Sequence, residues 1–495
     1  MKNSGPVVVI GSGPAGAAAA LFLAKAGIET LILEAGSKEA PLGFTARLRG
    51  FTFAKRRPPL QQRPDFTAIG DTAMKLFEEL APGGLSNHWS CAVPRFADED
   101  FRDAERAGEA HTWPVSYADL AQWYDRVEPL LGIAGDVRET PHVPNGRPKH
   151  RWQLSREWDP VVRAAETLER SVVVMPYANG SATMATRSGT AFNAYTQLVL
   201  PAVHAGELAV LYDAQVQRLE WSAQDKRVVA VCYRNTLTGR QERVRCRAVV
   251  VAAGAVNSAQ ILLQSSSADF PAGLGNEHGV LGRYLHDHPL AKVVVDLPRA
   301  VPIHPASYLT RQSLERSEPL YAAACMQWCG APALVRSALQ GHPGRSRQVG
   351  FTVFGTMVPR PENFVALDPD QPTNGGQSQL LVSLEYPREV YETLERARDE
   401  LLEVLRLAGW EPRLNDWTIE SPGSSVHYGG TCRMHVSPRY GVVDAKCRIH
   451  GVPNVAVADS SVFTTGPEKN PVLTAMALAA RTSELLARDL HDHVL

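Results

Sequence analysis

The run Gly11-Ser12-Gly13-Pro14-Ala15-Gly16 has the residue types and spacing for holding a pyrophosphate. It follows the apolar stretch Val7-Val8-Val9-Ile10 and opens an alanine-rich helical pattern, and Glu34 closes the next apolar run, Leu31-Ile32-Leu33. Glycines let the backbone turn tightly and approach phosphate oxygens. A helix N-terminus adds unpaired N–H groups and the positive end of a dipole, and an acid at this distance accepts ribose hydroxyls. A lone GxGxxG is a weak signal. With a strand before it, a helix after it and Glu34 beyond, it predicts a complete dinucleotide-binding βαβ unit. No second GxGxxG follows, which disfavours a reductase that also carries a nicotinamide nucleotide.

Proton chemistry points to the other end of the chain. His427 sits among Ser425, Gly429, Gly430 and Thr431, where small side chains leave room for a ligand, and Asn470-Pro471 opens a helical pattern running to about Arg488. An imidazole is the side chain best suited to take a proton near neutral pH, and a neutral amide can orient the group that gives it up. Each has a plainer reading. His427 serves equally as a hydrogen-bonded loop histidine, and Asn470 as the N-cap of a helix with proline at its first position. One amide cannot freely do both. His286-Asp287-His288 has a metal-like composition, but alternate residues on an extended segment supply only two nearby ligands, so no metal is assigned. Arg283 and His288 are expected instead to organise the boundary of the cofactor domain. Asp459, at the end of the strand-like run Val455-Ala456-Val457-Ala458, is expected to contact the cofactor or to cap the adjacent turn.

These groups must be carried by a large framework. A chain of 495 residues can bury one large core or two or three smaller ones, and a cofactor part plus a substrate part is the natural division. The net charge of −1 gives no basic excess for nucleic acid, and no apolar stretch is long enough for a membrane span. The first strand begins almost at the N-terminus, leaving no room for a signal peptide ahead of it. Seven cysteines, at 91, 232, 246, 325, 329, 432 and 447, form no disulfide framework. Together these predict a cytoplasmic protein. Cys325 and Cys329 have no companion pair at zinc spacing and read as buried thiols.

Along the chain, Lys55-Arg56-Arg57-Pro58-Pro59 reads as a solvated loop. Strand-like runs recur at Leu208–Tyr212, Val228–Cys232 and Ala248–Gly254, the last feeding a helix from about Val256 to Leu263. Leu380–Leu384 reads as a strand, and Arg388 to Leu407 as a helix with Val390, Leu394, Ala397, Leu401 and Leu405 on one face. The resulting expectation is an α/β fold. A Rossmann-like cofactor domain is assembled from 1–90, 205–290 and 422–495, and an α+β substrate part from 91–204 and 291–421, built on a β-sheet with flanking helices.

Several segments, in order, resemble the glucose-methanol-choline (GMC) family of flavoproteins. They are the glycine-rich fingerprint, Trp113-Pro114-Val115-Ser116-Tyr117-Ala118-Asp119-Leu120, Val251-Ala252-Ala253-Gly254-Ala255-Val256-Asn257-Ser258, Leu281-Gly282-Arg283-Tyr284-Leu285-His286-Asp287-His288-Pro289, and His427-Tyr428-Gly429-Gly430-Thr431-Cys432-Arg433-Met434 with Asn470-Pro471. Within the family, Gly83-Gly84-Leu85-Ser86-Asn87-His88-Trp89-Ser90-Cys91 looks most like the pyranose-oxidase branch, which usually has threonine where this chain has Asn87. The resemblance implies FAD, a two-domain fold and oxidation of an alcohol.

By the same resemblance, His427 takes the hydroxyl proton as hydride passes to flavin N5, and Asn470 orients the oxygen. His88 carries the flavin covalently, the plainer reading being a histidine packed beside Trp89. Ser86, Asn87, Trp89 and Ser90 line the ring, Ser90 as a hydrogen-bond partner of N5 or O4. Ala35, Val216, Ala253 and Gly254 join the nucleotide site, as do Pro471 and Val472 at the start of the last helix, whose positive end faces the pyrimidine edge. The implied substrate is a sugar or glycoside hydroxyl, as in a free pyranose, a C-glycoside or the sugar of an aminoglycoside antibiotic, and the product is a ketone or aldehyde. Oxygen or another carrier is the electron acceptor. The competing functions are a lyase with a redox-silent flavin, a non-sugar alcohol dehydrogenase, and a non-catalytic binder of FAD or a glycoside. Oligomeric state is left open.

Overall fold

A computed structural model describes residues 5–38, 60–135, 142–144, 146, 148–151, 153–178, 192–302, 307–309, 327–328, 345–372 and 378–495. The Lys55–Pro59 segment and the Cys325/Cys329 pair lie outside the described residues. Its centre is a six-stranded sheet in which Ala209–Leu211, Thr30–Leu33, Val7–Ile10, Ala248–Val251 and Val452–Val457 run parallel, with Arg448–Ile449 added antiparallel at one edge. Strands covered on both faces must be apolar throughout. Val7, Val8 and Val9 pair with Ala248, Val249 and Val250, and all six side chains are fully buried.

The turn between Val7–Ile10 and the helix Pro14–Lys25 works only with glycine. Gly11 has φ +96°, and a Cβ there would lie 2.6 Å from the Ala252 carbonyl oxygen; a Cβ on Gly16 would lie 2.1 Å from that of Gly11. These two positions set the close contact of helix and strand that the fingerprint encodes. The alanine face of this helix packs on Val472–His491, which shares one core with the sheet. Helix Tyr117–Leu131 packs on the same C-terminal helix, with the Tyr124 hydroxyl 2.8 Å from Thr474 Oγ1. The Trp113–Leu120 motif supplies its start: Ser116 and Asp119 form a reciprocal capping box.

A second core lies under another sheet. Leu290–Pro302 runs antiparallel between Arg345–Phe354 and Arg413–Ile419, with Gln327–Trp328 at one edge. Helix Arg388–Leu407 covers it, burying Val390, Leu394, Leu401 and Leu405 on the expected face, with Ala397 half-buried. The strand-like run at Leu380–Leu384 is Ser378–Ser383, paired parallel with Phe66–Ile69 and antiparallel with Phe364–Pro372. Val228–Cys232 lies in Arg227–Asn235, the middle strand of a separate three-stranded meander, while the flanking Ala209–Leu211 and Ala248–Val251 enter the central sheet. Five cysteines, 91, 232, 246, 432 and 447, are buried free thiols.

One ionic cluster ties distant segments beneath the site. Lys469 Nζ lies 2.8 Å from Asp100 Oδ2 and 3.1 Å from Glu468 Oε1, and all three side chains are fully buried. Removing the cation leaves two carboxylates buried without it. Lys469→Met is therefore expected to destabilise the protein by about 3–5 kcal/mol, read as a lowered denaturant midpoint; an unchanged midpoint would show that the cluster carries no such cost.

Candidate active site

The fingerprint end and the histidine end open into one cavity of about 570 Å³. Among the expected residues, Gly11, Gly13, Pro14, Ala15, Glu34, Ala35, Ser86, His88, Trp89, Ser90, Val216, Ala253, Gly254, His427, Asp459, Asn470, Pro471 and Val472 line it. Gly16 and Asn87 do not. Gly16 is the close-packing glycine described above. Asn87 pins the turn Gly84–Asn87 by donating to the carbonyls of Pro82 and Gly84 and accepting from Asn193. Both stand behind the wall that the other residues line.

At the nucleotide end, Gly13 is the N-cap position of a helix that has no side-chain cap, so its first-turn N–H groups stay available at the cavity. Glu34 closes its strand and is held by the backbone N–H groups of Ser12 (3.0 Å) and Gly36 (2.9 Å) and by the Ser12 hydroxyl. Burial raises its pKa. Uncapped N–H groups, glycines where side chains would clash and an acid at the strand end fit an adenine dinucleotide. Asp459 accepts from Gly254 N, Ser258 Oγ and Ser461 N, capping the following turn and tying it to Gly254. The turn-capping reading is the one observed, on a residue that also faces the cavity.

His88 stands along the wall with Nε2 2.6 Å from Glu79 Oε2, while Trp89 donates its indole N–H to the Phe192 carbonyl. Ser86 donates to Gly83 O and accepts from Ala194 N, so its hydroxyl braces the turn. Arg63, almost fully buried, faces the same cavity with Asp65, Asn257 and Gln260 as partners. Neither Glu79 nor Arg63 belongs to a readable motif; their contacts arise from tertiary packing.

At the histidine end, His427 Nε2 lies 3.2 Å from Asn470 Nδ2. The helix after Asn470 is Val472–His491, with Pro471 at its cap position and no side-chain cap. Of the two roles expected of Asn470, the contact with the histidine is present. Enclosure lowers the His427 pKa to about 4, so the ring is neutral at physiological pH and free to accept a proton. Asp287, buried beneath the loop, accepts from His427 N (2.6 Å), Ser425 N (3.2 Å) and the Ser425 hydroxyl. The preceding Val426 has φ 62°, a region costly for a β-branched side chain, and these bonds hold it there. Leu290, Lys292, Thr352 and Phe354, from facing positions of the second sheet, complete this end with Ser424 and Val426.

The HDH triplet is divided among three tasks. Asp287 holds the loop. His286 is fully enclosed under Gly429 and Gly430, where a Cβ would come within 2.6 Å of its ring at either position. His288 turns its Nδ1 to within 2.8 Å of His427 Nδ1. His288 thus stands directly behind His427, with Phe354 and Tyr386 of the second sheet's part on its other side. Arg283 does serve a junction, donating to the carbonyls of Pro361 and Gly279. Among the described residues no helix is long and apolar enough to cross a membrane.

Comparison with known proteins agrees with this geometry. Two GMC oxidoreductase family models match residues 95–290 and 361–479, together more than half of the chain, and an FAD-binding domain model matches residues 4–56. The chain is 26% identical to a 2-methyl-1,2-propanediol dehydrogenase of Mycolicibacterium austroafricanum, over 99% of its own length and 96% of the relative's. It is 26% identical to a paromamine 6'-oxidase of Streptomyces fradiae, covering 98% and 91%. A C-glycoside 3-oxidase of Arthrobacter globiformis is also 26% identical, covering 83% and 75%. The fold matches that of a pyridoxine 4-oxidase from Mesorbium loti with a TM-score of 0.68 at 18% identity, over 99% of this chain and 100% of that one. The chain belongs to the GMC oxidoreductases and is an FAD-dependent oxidoreductase of that family.

Proposed function

We propose that the protein oxidises a hydroxyl of a sugar or glycoside to a ketone or aldehyde. The observation that carries the chemistry is the half-buried, neutral His427 with its Nε2 3.2 Å from the Asn470 amide. His427 Nε2 takes the hydroxyl proton. Asn470 Nδ2 donates to the same oxygen and fixes which face of the carbon is presented. Bound FAD supplies the acceptor for the hydride that leaves that carbon, so one proton and one hydride account for the oxidation. Asp287 keeps the base in place. The sugar assignment is supported by the relatives named for aminoglycoside and C-glycoside oxidation. It is also supported by the hydroxyl-bearing Ser424, Ser425 and Thr352 beside the Phe354 ring and Lys292 in this part of the wall. The test is anaerobic mixing with D-glucose, a C-glucoside, paromamine and 2-methyl-1,2-propanediol, followed by flavin absorbance. Bleaching by a sugar member supports the reading. Turnover without bleaching supports the lyase alternative, and bleaching by the diol alone supports a non-sugar alcohol.

His427→Ala is expected to slow bleaching by about 10²–10⁴-fold; equal rates would remove His427 from the reaction. Its lowered pKa fixes the sign of the pH dependence. The base is competent when unprotonated, so the reduction rate should be flat at neutral pH and fall only as pH approaches 4. A limb centred near 6.5 would contradict the burial argument.

We also propose that FAD is attached through His88. Glu79, 2.6 Å from Nε2, would orient the His88 ring and accept its proton. Acid-precipitated wild-type protein should stay yellow, and His88→Ala should release its flavin to the supernatant. A colourless wild-type pellet would refute attachment.

A further inference from the structure

The two Nδ1 atoms of His427 and His288 face each other at 2.8 Å, and a neutral pair at that distance holds one proton between them. Which ring owns it follows from the outer ends. The Asn470 amide nitrogen has only hydrogens to offer, so His427 Nε2 receives, and the ring proton of His427 is on Nδ1. At the opposite end, the Pro467 backbone carbonyl favours a proton on the far side of the His288 ring, which leaves Nδ1 to receive. Both ends favour the same assignment: Asn470 Nδ2–H to His427 Nε2 and His427 Nδ1–H to His288 Nδ1, with the His288 proton on its outer nitrogen.

We infer that His288 is a positioning residue for the oxidation, holding His427 in the tautomer whose bare nitrogen faces the substrate and bearing part of the charge once that nitrogen is protonated. The inference rests on the alcohol-oxidation reading above. Before the reaction His427 is neutral. When the hydroxyl proton moves to Nε2, His427 becomes a cation with an N–H still aimed at the His288 lone pair, and that hydrogen bond strengthens as the charge develops. The surroundings divide by sign. His286 opposes charge on His288, and the Glu468 carboxylate favours it, with Lys469 and Asp100 behind Glu468. Tyr386 donates to the His288 carbonyl at 3.4 Å, and the Phe354 ring packs against both imidazoles. His288 thus does for His427 what a buried carboxylate does in other acid–base sites, without adding a full negative charge beside the flavin.

The test is a double-mutant cycle read by anaerobic flavin bleaching, using the fastest substrate of the panel above. His288→Leu removes the acceptor and should slow bleaching about 100-fold in the wild-type background, with little change in substrate half-saturation. It should cost almost nothing in His427→Ala, where there is no base left to orient. His288→Asn, whose amide oxygen can accept from Nδ1–H, should stay within about tenfold of wild type. Equal costs in both backgrounds, or an asparagine variant as slow as the leucine one, would reduce His288 to a structural role. A substrate-free measurement holds even if the leucine variant fails to fold. With ¹⁵N-labelled histidine, the wild-type holoprotein should show His427, assigned by its loss in His427→Ala, as the Nδ1–H tautomer, and a protonated Nε2 would overturn the inference. If no alcohol bleaches the wild-type flavin while the tautomer is as described, the oxidation reading has failed and the catalytic role of His288 falls with it.

Discussion

Enclosing two imidazoles side by side is the constraint from which the rest of the site follows. Desolvation drives both half-buried His427 and buried His288 toward the neutral form, and His288 cannot then rely on water to satisfy its nitrogens. Each ring nitrogen in the pair needs a protein partner of the right kind. Asn470 serves the His427 end and the Pro467 carbonyl favours a proton at the far end of His288, and both come from the short stretch before the last helix. The stretch 467–470 must therefore be held rigidly. The buried Lys469 cluster does that by tying it to Asp100, a residue more than three hundred positions earlier. A polar interior of this kind is unfavourable unless fully connected, and here the connection coincides with the chemistry.

The central sheet brings these distant segments together. Ala248–Val251 lies between Val7–Ile10 and Val452–Val457, so the turns leaving all three strands open on the same edge. That edge receives the fingerprint glycines, Gly254 and Asp459, the last two joined by a hydrogen bond. A crevice at the carboxyl ends of parallel strands is where nucleotides bind in this architecture. The second sheet then needs only to place Leu290, Lys292, Thr352 and Phe354 opposite the histidines. Its antiparallel strands present alternate residues to one face, which fixes the register of that wall.

Local features of the sequence were readable because their physics is local. The fingerprint works through backbone crowding within a few residues, the start of Tyr117–Leu131 through a reciprocal cap, and Arg388–Leu407 through a single apolar stripe. Asn470 was ambiguous for the same reason: a cap is a local motif and a contact with His427 is not. The contact of His288 with His427 is not legible for the same reason, since its partner lies 139 positions away. In an extended triplet, composition suggested ligands, whereas the fold gives each member a separate partner. Glu79 and Arg63 had no motif at all and acquire their places only when their segment covers the cavity. Asn87 and Gly16 show how residues of a motif also act on its own backbone, one by bracing a turn and the other by close packing.

The loop carrying the base illustrates why strain and function meet here. Val426 would relax from its positive φ if the loop were free, and that relaxation would turn His427 away from Asn470. Asp287 opposes it by accepting from backbone or side chain on both sides of Val426, at Ser425 and at His427. Burial pushes the Asp287 carboxyl up to about 6, while the donors converging on it favour the charged form. The carboxylate is thus kept where its charge is costly because several N–H and O–H groups would otherwise have no acceptor. Gly429 and Gly430 complete the argument on the far side, since any side chain there would meet His286 or the Tyr284 carbonyl and lift the loop. The base is held between a buried acid that pulls and a buried ring that leaves no room to move.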